Sequence, residues 1–353
     1  MLRAIFGTDN ALKVTNPAVN ATFADWWTSS GIPGAGLGQN PTRACIDQNG
    51  WISGMATTAN VISNVPIFLN GFVPAAAARI TICFKLKVLS VIGGNYQVLS
   101  LAQEGSPNAG ADYLFTTAAP WLATQAVGTE LFVEVTYTRA TGLTSYIVNG
   151  VAQAATRTFT LSTAGATAWD AGKLVLNFVL SGIGSSGTTR FAIRDVHVID
   201  DIAGDGITGS IGQARIYPTT VSSATGVGWV PSSGSASLVD VMNLTPPSTI
   251  TVNSPTDKTP LAITLSPTAV VGARILGMAF SMAGASATIS PSPTKVEISG
   301  SGVNLPAMQV SAPAGGLKYG LSLGVYSRAL DGSSWNVPKL ATLSFKITPD
   351  TVI

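Results

Sequence analysis

His197 is the only histidine in the chain, and with Glu130, Glu134 and Ser322 it marks where catalysis would have to begin. Gly320-Leu-Ser-Leu-Gly324 fits the pattern of a nucleophile elbow, which needs a strand-to-helix turn and a histidine later in the chain. Here the pattern sits inside an apparent strand and His197 precedes it, so the glycines read as close packing within a sheet. Without a second histidine or a cysteine nearby in sequence, His197 is no zinc ligand by spacing and reads as an ordinary strand residue. Glu130 and Glu134 lie four apart on a strand and share one face, opposite Leu131, Val133 and Val135. Their backbones are then about 13 Å apart, with Phe132 between, whereas retaining glycosidases hold two carboxyls about 5–5.5 Å apart. The pair reads as a solvated or interface face.

Ligand-binding candidates are sparse. Asp200, Asp201 and Asp205 are weak calcium candidates, since a hard cation takes six to eight oxygens and loop carbonyls would have to supply the rest. Turn formation accounts for Asp205-Gly206 equally well. No other metal site and no cofactor is expected. Gly31-Ile-Pro-Gly-Ala-Gly-Leu-Gly38 lacks the strand-then-helix context of a phosphate loop. Asn20-Ala-Thr22 and Asn243-Leu-Thr245 fit the glycosylation triplet but carry no weight without a secretory route. Of the seven tryptophans, Trp27, Trp51, Trp121 and Trp169 are candidates for a glycan-stacking platform; the competing reading is that indoles plug sandwich edges and subunit seams. Cys45 and Cys83 have no metal-ligand spacing and read as free thiols or as one bridge, which spacing alone does not decide.

The composition narrows the classes further. Of 353 residues, 19 are Lys or Arg and 17 are Asp or Glu, giving 10% charged residues on a chain that is 46% hydrophobic. An ordinary soluble domain carries about 25% charged residues. A net charge of +2 does not suit a nucleic-acid binder, which needs clustered cations against phosphates. The amino terminus lacks the apolar core of a secretory signal. The stretch Ala269–Ile289 is the most membrane-like, but Arg274 and its glycines make it a sheet strand with turns.

The elements that must position these residues are short alternating segments separated by Gly, Pro, Asn and Ser, the pattern of a β-sandwich. Thr129–Tyr137 and Thr144–Val151 form a hairpin, and the return strand runs into an Asn149-Gly150 turn. Lys173–Ser181 is apolar on both faces and reads as a covered central strand. In Arg190–Ile199 the alternation slips, because Phe191 and Ile193 have one parity and Val196 and Val198 the other; a β-bulge near Arg194-Asp195 restores one apolar face. Ser222–Pro260 turns to Ser, Thr, Gly and Pro, including Pro246-Pro247, and reads as a long connection. Beyond it come strands at Pro260–Leu265, Arg274–Met282, Lys295–Ser299, Lys318–Ser327 and Leu340–Thr348. The expected organisation is a jelly-roll β-sandwich over residues 1–222, a connection over 223–259 and a second, smaller β-lobe over 260–353.

Val135-Thr-Tyr-Thr-Arg-Ala-Thr-Gly-Leu-Thr-Ser-Tyr-Ile-Val-Asn-Gly150 resembles the central hairpin of concanavalin- and laminin-G-like jelly rolls. Phe191-Ala-Ile-Arg-Asp-Val-His-Val-Ile-Asp200 is similar to their next signature strand, with Arg194 where an acid is common. Gly212-Gln-Ala-Arg-Ile-Tyr-Pro218, Trp229-Val-Pro-Ser-Ser-Gly234, Val239-Asp-Val, Pro246-Pro-Ser-Thr249 and Ala329-Leu-Asp-Gly-Ser-Ser-Trp-Asn-Val-Pro-Lys-Leu340 follow in an order that resembles tailed-bacteriophage virion proteins. That resemblance implies a non-enzymatic structural component of the virion, made in the host cytoplasm, whether tail, fibre or head-decorating subunit. Its partners would be other virion proteins and copies of itself, bound through uncharged faces. The alternative on the same fold is a glycan-binding adhesin that recognises host surface polysaccharide, and a third reading is a polysaccharide-degrading enzyme.

Overall fold

The computed structural model describes residues 2–6, 44–46, 49–54, 63–68, 75–90, 92–93, 95–103, 112–184, 187–202, 207, 211–212, 214, 219–231, 237–243, 250–252, 259–266, 274–284, 292–312 and 318–349. These residues fall into two compact units, one up to residue 214 and one from residue 219 onward. Both are built on antiparallel β-sheets.

In the first unit the strands are β1 (Leu2–Phe6), β2 (Ala44–Ile46), β3 (Ile52–Gly54), β4 (Ser63–Phe68), β5 (Arg79–Val88), β6 (Gln97–Gln103), β7 (Asp112–Thr116), β8 (Glu130–Thr138), β9 (Leu143–Val148), β10 (Val151–Ala152), β11 (Arg157–Thr158), β12 (Leu174–Gly184) and β13 (Gly187–Asp200). Among the described residues two short helices join them, α1 (Pro120–Ala123) and α2 (Thr163–Asp170). One layer runs β9–β8–β5–β13, with β10 and β11 against β9 and with β1 and β3 against β13. The other layer is β4–β12–β6–β7. At its start β13 pairs with β12, and from Phe191 onward it pairs with β5, so one strand stitches both layers.

Alternation dictates what lies between the layers. Ile80, Ile82, Phe84, Leu86 and Val88 of β5 point inward and are fully buried. Phe84 meets Phe178 of β12 edge-on at 5.0 Å and stacks over Phe115 of β7 at 6.4 Å. Leu174–Leu180 is buried without a break, as a strand covered on both faces requires. The slip expected at Arg194-Asp195 is present: the register with β5 jumps between Arg194 and His197, and Asp195 takes a φ of 54°. The extra residue flips the parity, so Phe191, Ile193, Val196 and Val198 are all buried. Asn149 and Gly150 have φ of 49° and 82°, the signature of a two-residue type I′ turn. Asn149 also locks that turn onto β8, since its N–H donates to the Phe132 carbonyl and its Oδ1 accepts from the Phe132 N–H, both at 2.8 Å.

Helix α2 was not foreseen, because Thr163-Ala-Gly-Ala-Thr-Ala-Trp-Asp170 carries no clear apolar stripe. It forms because its first turn is held from outside. Ser162 Oγ accepts from the Gly165 N–H at 3.1 Å, the N-cap bond. Asp112, 3% exposed at the start of β7, accepts from the Ser162 N–H at 2.8 Å and from Ser162 Oγ at 2.7 Å. A Cβ on Gly165 would fall 2.1 Å from Asp112 Oδ2, so a glycine is required where the helix crosses the carboxylate.

The second unit contains β14 (Thr220–Thr225), β15 (Trp229–Pro231), α3 (Leu238–Asn243), β16 (Ile250–Val252), β17 (Leu261–Ser266), β18 (Met278–Gly284), β19 (Ser292–Gly300), β20 (Val303–Asn304), β21 (Met308–Ala312), β22 (Lys318–Tyr326), α4 (Val337–Ala341) and β23 (Ser344–Pro349). Its main sheet is β14–β17–β23–β19–β20, and the β18–β22 pair supplies Phe280, which meets Phe345 at 5.0 Å. The expected connection over 223–259 is corrected: β14, β15, α3 and β16 belong to this unit. Asn243 bridges the Val221 backbone in both directions, and the Trp229 indole N–H donates to the Thr259 carbonyl. Leu340 opens no strand but lies within α4, capped by Asn336, whose Oδ1 accepts from the Lys339 N–H at 3.0 Å.

Asp112→Ala leaves the Ser162 donors unsatisfied and is expected to cost about 1–3 kcal/mol in chemical denaturation of the first unit. A loss no larger than that of the exposed control Asp170→Ala would show that Asp112 does not anchor α2.

Candidate functional site

The register of three neighbouring strands builds a polar row on the outer face of the first layer. Glu134 of β8 lies opposite Cys83 of β5, and Cys83 lies opposite His197 of β13. All three are nearly inaccessible, with exposures of 1%, 0% and 3%. Cys83 Sγ sits 4.0 Å from Glu134 Oε2, which also accepts from the Ile211 N–H at 3.2 Å. His197 Nδ1 lies 2.9 Å from the Asp195 carbonyl, which can only accept, so Nδ1 carries the proton and Nε2 is a bare acceptor with no partner among the described residues. The Phe132 ring lies over the imidazole with centroids 6.3 Å apart.

This row has the residue types of a nucleophile, a base and an orienting acid, but not their state. Burial, then the Glu134 charge, pushes the Cys83 thiol well up, so it stays protonated. Burial holds His197 down at about 4, so it stays neutral, with the Asp195 carbonyl opposing that shift. The face is therefore interior and not the solvated or interface surface expected for Glu134. Glu130, by contrast, is exposed and paired with Lys87 at 2.9 Å, so the two glutamates share no site. Cys83 is a free thiol, which excludes the Cys45–Cys83 bridge.

The other sequence candidates are placed as follows. Trp51, Trp121 and Trp169 are 3%, 6% and 0% exposed, so the stacking platform is corrected to core packing. Trp51 lies under Lys87 and Arg194, whose cationic groups are 5.5 and 4.6 Å from its ring centroid. Trp121 packs on Phe115 and Tyr146, at 5.0 and 5.7 Å. Trp169 donates to the Ala77 carbonyl at 3.1 Å. In a chain of small residues these indoles supply the volume that closes the sandwich. Trp27 lies outside the described residues. Asp201 Oδ1 accepts from the backbone N–H groups of Ala78 and Arg79, and Asp200 Oδ1 accepts from that of Ile202. The expected calcium ligands are thereby corrected to backbone caps; Asp205 lies outside the described residues, and among those described no His, Cys, Asp or Glu cluster suits a metal ion. Ser322 lies within β22 opposite Ser281, in a strand as expected. No helix among the described residues is long and apolar enough to cross a membrane.

A group not singled out in the sequence lies on the open side of the first unit, where β7 ends one layer and β9–β11 end the other. The Arg157 guanidinium carbon sits 3.3 Å from the Tyr113 ring centroid and 5.3 Å from that of Phe159. All three side chains are partly exposed. Phe159 is fixed by Tyr137, whose ring is 4.9 Å away and whose hydroxyl donates to the Phe159 carbonyl at 3.3 Å. The Phe159 N–H donates to the Gly142 carbonyl. At Gly142 φ is +65° and a Cβ would lie 2.2 Å from the Phe159 oxygen, so only glycine admits this approach. The available signal was the two-residue spacing of Arg157 and Phe159, which puts both on one side of an extended segment.

No protein-family model matches the chain, and no curated protein matches its sequence. Among solved structures the chain is similar to a Lotus tetragonolobus seed lectin, at 10% identity over 45% of this chain and 90% of the lectin, with a TM-score of 0.30. It is also similar to lectin II from Ulex europaeus, at 13% identity over 45% and 90% with a TM-score of 0.29. An endo-1,3-β-glucanase from Streptomyces sioyaensis matches at 14% identity over 56% and 95%, again at 0.30. Likeness at this level carries no argument about function, and the all-β sandwich stands on the strand order itself.

Two outcomes test the buried row. His197 takes up its proton at a higher pH when unfolded, near 6.5, than when folded, at about 4. Its contribution to stability is therefore complete above pH 6.5 and falls by about 3 kcal/mol as the pH drops to 4. His197→Gln is expected to flatten denaturation midpoints across that window; an unchanged slope would contradict the assignment. Iodoacetamide at pH 8 is expected to leave Cys83 unmodified until the protein is unfolded, and rapid native labelling would overturn the burial argument.

Proposed function

We propose that the chain is a non-catalytic glycan-binding protein that contacts sugar through the open side of its first β-sandwich. The observation that carries this reading is the group formed by the Tyr113 and Phe159 rings with Arg157 at that rim. Partly exposed aromatic faces suit the C–H faces of sugar rings, and a guanidinium supplies fixed hydrogen-bond donors. The elements behind it are tied by hydrogen bonds: Asp112 anchors the start of β7, and Gly142 and Tyr137 hold Phe159. The non-catalytic part of the reading is supported by the burial and protonation state of the Cys83–Glu134–His197 row and by the separation of Glu130 from Glu134.

A second reading, a structural component of a phage virion that works through subunit contacts, is favoured by a different observation. Val127 and Val151 of the first unit are 56% and 63% exposed, and Val227 of the second is 77% exposed, on a chain with 10% charged residues. Apolar side chains on uncharged surroundings pack against a neighbour without desolvating charge.

A panel of immobilised oligosaccharides, probed with the full chain, tests the first reading. Binding to at least one glycan class is expected, weakened about ten-fold by Tyr113→Ala at unchanged melting temperature. Absence of binding across the panel, or a Tyr113→Ala variant that binds as the parent does, would remove the reading. Sedimentation addresses the second: self-association is expected to weaken in Val151→Lys, and a monomer at every concentration tested would speak against it.

A further inference from the structure

We infer that Arg157 is the receptor for a carboxylate, so that the glycan bound at this rim is an acidic sugar, a ring that bears a carboxyl group. This rests on the glycan-binding reading and narrows it.

The argument begins with charge pairing. Four of the eight cations with described side chains in the first unit have an acid beside them: Lys87 has Glu130, Arg139 has Asp170, and Lys85 and Arg194 share Asp195. Arg157 makes no ion pair or hydrogen bond through its guanidinium among the described residues, and its Nε is shielded from solvent with no partner. Removing a cation from water without an opposite charge is unfavourable, and in a chain this poor in charge an unmatched, partly buried arginine calls for an external anion.

Strand geometry then fixes where the group points. Arg157 lies opposite Thr144 in the β9–β11 pair. Cross-strand partners share a face, and on β9 that face carries Thr144, Tyr146 and Val148, all buried. The arginine stem thus leaves from the core side, and its head comes to rest flat at the rim over Tyr113 of β7. The stacking holds the guanidinium plane without using any of its N–H donors, which leaves the two-pronged edge for a planar acceptor. A carboxylate matches that edge with two parallel hydrogen bonds. The Tyr113 and Phe159 rings beside it supply an apolar surface for the sugar ring that carries the carboxylate. The nearby Tyr146 hydroxyl does not take that place, since it donates to the Leu114 carbonyl at 2.7 Å.

The test compares sugars that differ only in this charge. Titrate the full chain with trigalacturonate and with its methyl ester, and with sialyllactose and lactose. The acid of at least one pair is expected to bind ten-fold or more tightly than its neutral counterpart. Arg157→Gln should erase that difference and Arg157→Lys should restore only part of it, because lysine keeps the charge but loses the flat fork. Tyr113→Leu should weaken both forms, and the acid more, because the ring that holds the guanidinium is lost. Melting temperatures of the variants verify that each is folded. Equal binding of acid and neutral forms overturns this inference and leaves the glycan-binding reading standing. Binding to neither member of both pairs overturns the inference; if the wider panel is also blank, the glycan-binding reading falls with it. A preference that survives Arg157→Gln places the carboxylate elsewhere and also overturns the inference.

Discussion

Among the described residues the two stacked sheets leave one side where β7 ends one layer and β9–β11 the other, and closing it largely with aromatic side chains is the constraint on which the first unit depends. The closure is aromatic. Tyr146 crosses from β9 to hydrogen-bond the β7 backbone, Trp121 from α1 packs against it, and Phe115 completes the cluster. Trp121 and Tyr146 are spent on this seal, and for that reason no indole among the described residues remains there as an exposed platform. Further out the same closure ends in Tyr113, Arg157 and Phe159, rings and a guanidinium that the core does not fully cover. The binding reading follows from this position: the last layer of the plug is also the first surface a ligand meets.

The same economy of charge shapes the outer face. Where most sandwiches set exposed polar residues, β5, β8 and β13 carry Cys83, Glu134 and His197 under a covering segment that includes Ile211. The β-bulge at Asp195 makes this possible. It keeps Val196 and Val198 in the core while turning His197 outward beside Cys83, and it brings Asp195 within reach of Lys85 and Arg194. A protonated thiol and a neutral imidazole let a polar row be buried with a single formal charge, that of Glu134, which is hydrogen-bonded by backbone. The row gives the outer face specificity of packing rather than reactivity.

Much of the sandwich was legible in the residues because period-two alternation is a local signal. The hairpin of β8 and β9, the Asn149-Gly150 turn, the doubly covered strand at Leu174 and the bulge at Arg194-Asp195 each follow from side-chain order alone. What escaped depends on contacts between distant segments. Helix α2 is specified by Asp112, fifty positions before Ser162, and α4 by a cap and a proline within a stretch that alternates like a strand. The Ser- and Pro-rich segment after residue 222 has the composition of a connection, yet Asn243 and Trp229 tie it into the second unit. The site was the least legible part. Tyrosine, arginine and phenylalanine at 113, 157 and 159 carry no motif, and they meet only because β11 pairs with β9 in one layer while β7 ends the other. The tryptophans drew attention by type, but burial is decided by the sheets they plug.

The central claim is that the Arg157 fork at the aromatic rim receives a sugar carboxylate. The most direct measurement follows the Arg157 Nη–H resonance in labelled protein, assigned through Arg157→Lys, during titration with trigalacturonate and sialyllactose. The account predicts that this resonance moves with the acidic ligand, saturates with the bound fraction and exchanges more slowly with water, while the methyl ester and lactose leave it in place. An acidic glycan that binds with the Arg157 signal unmoved would contradict the account.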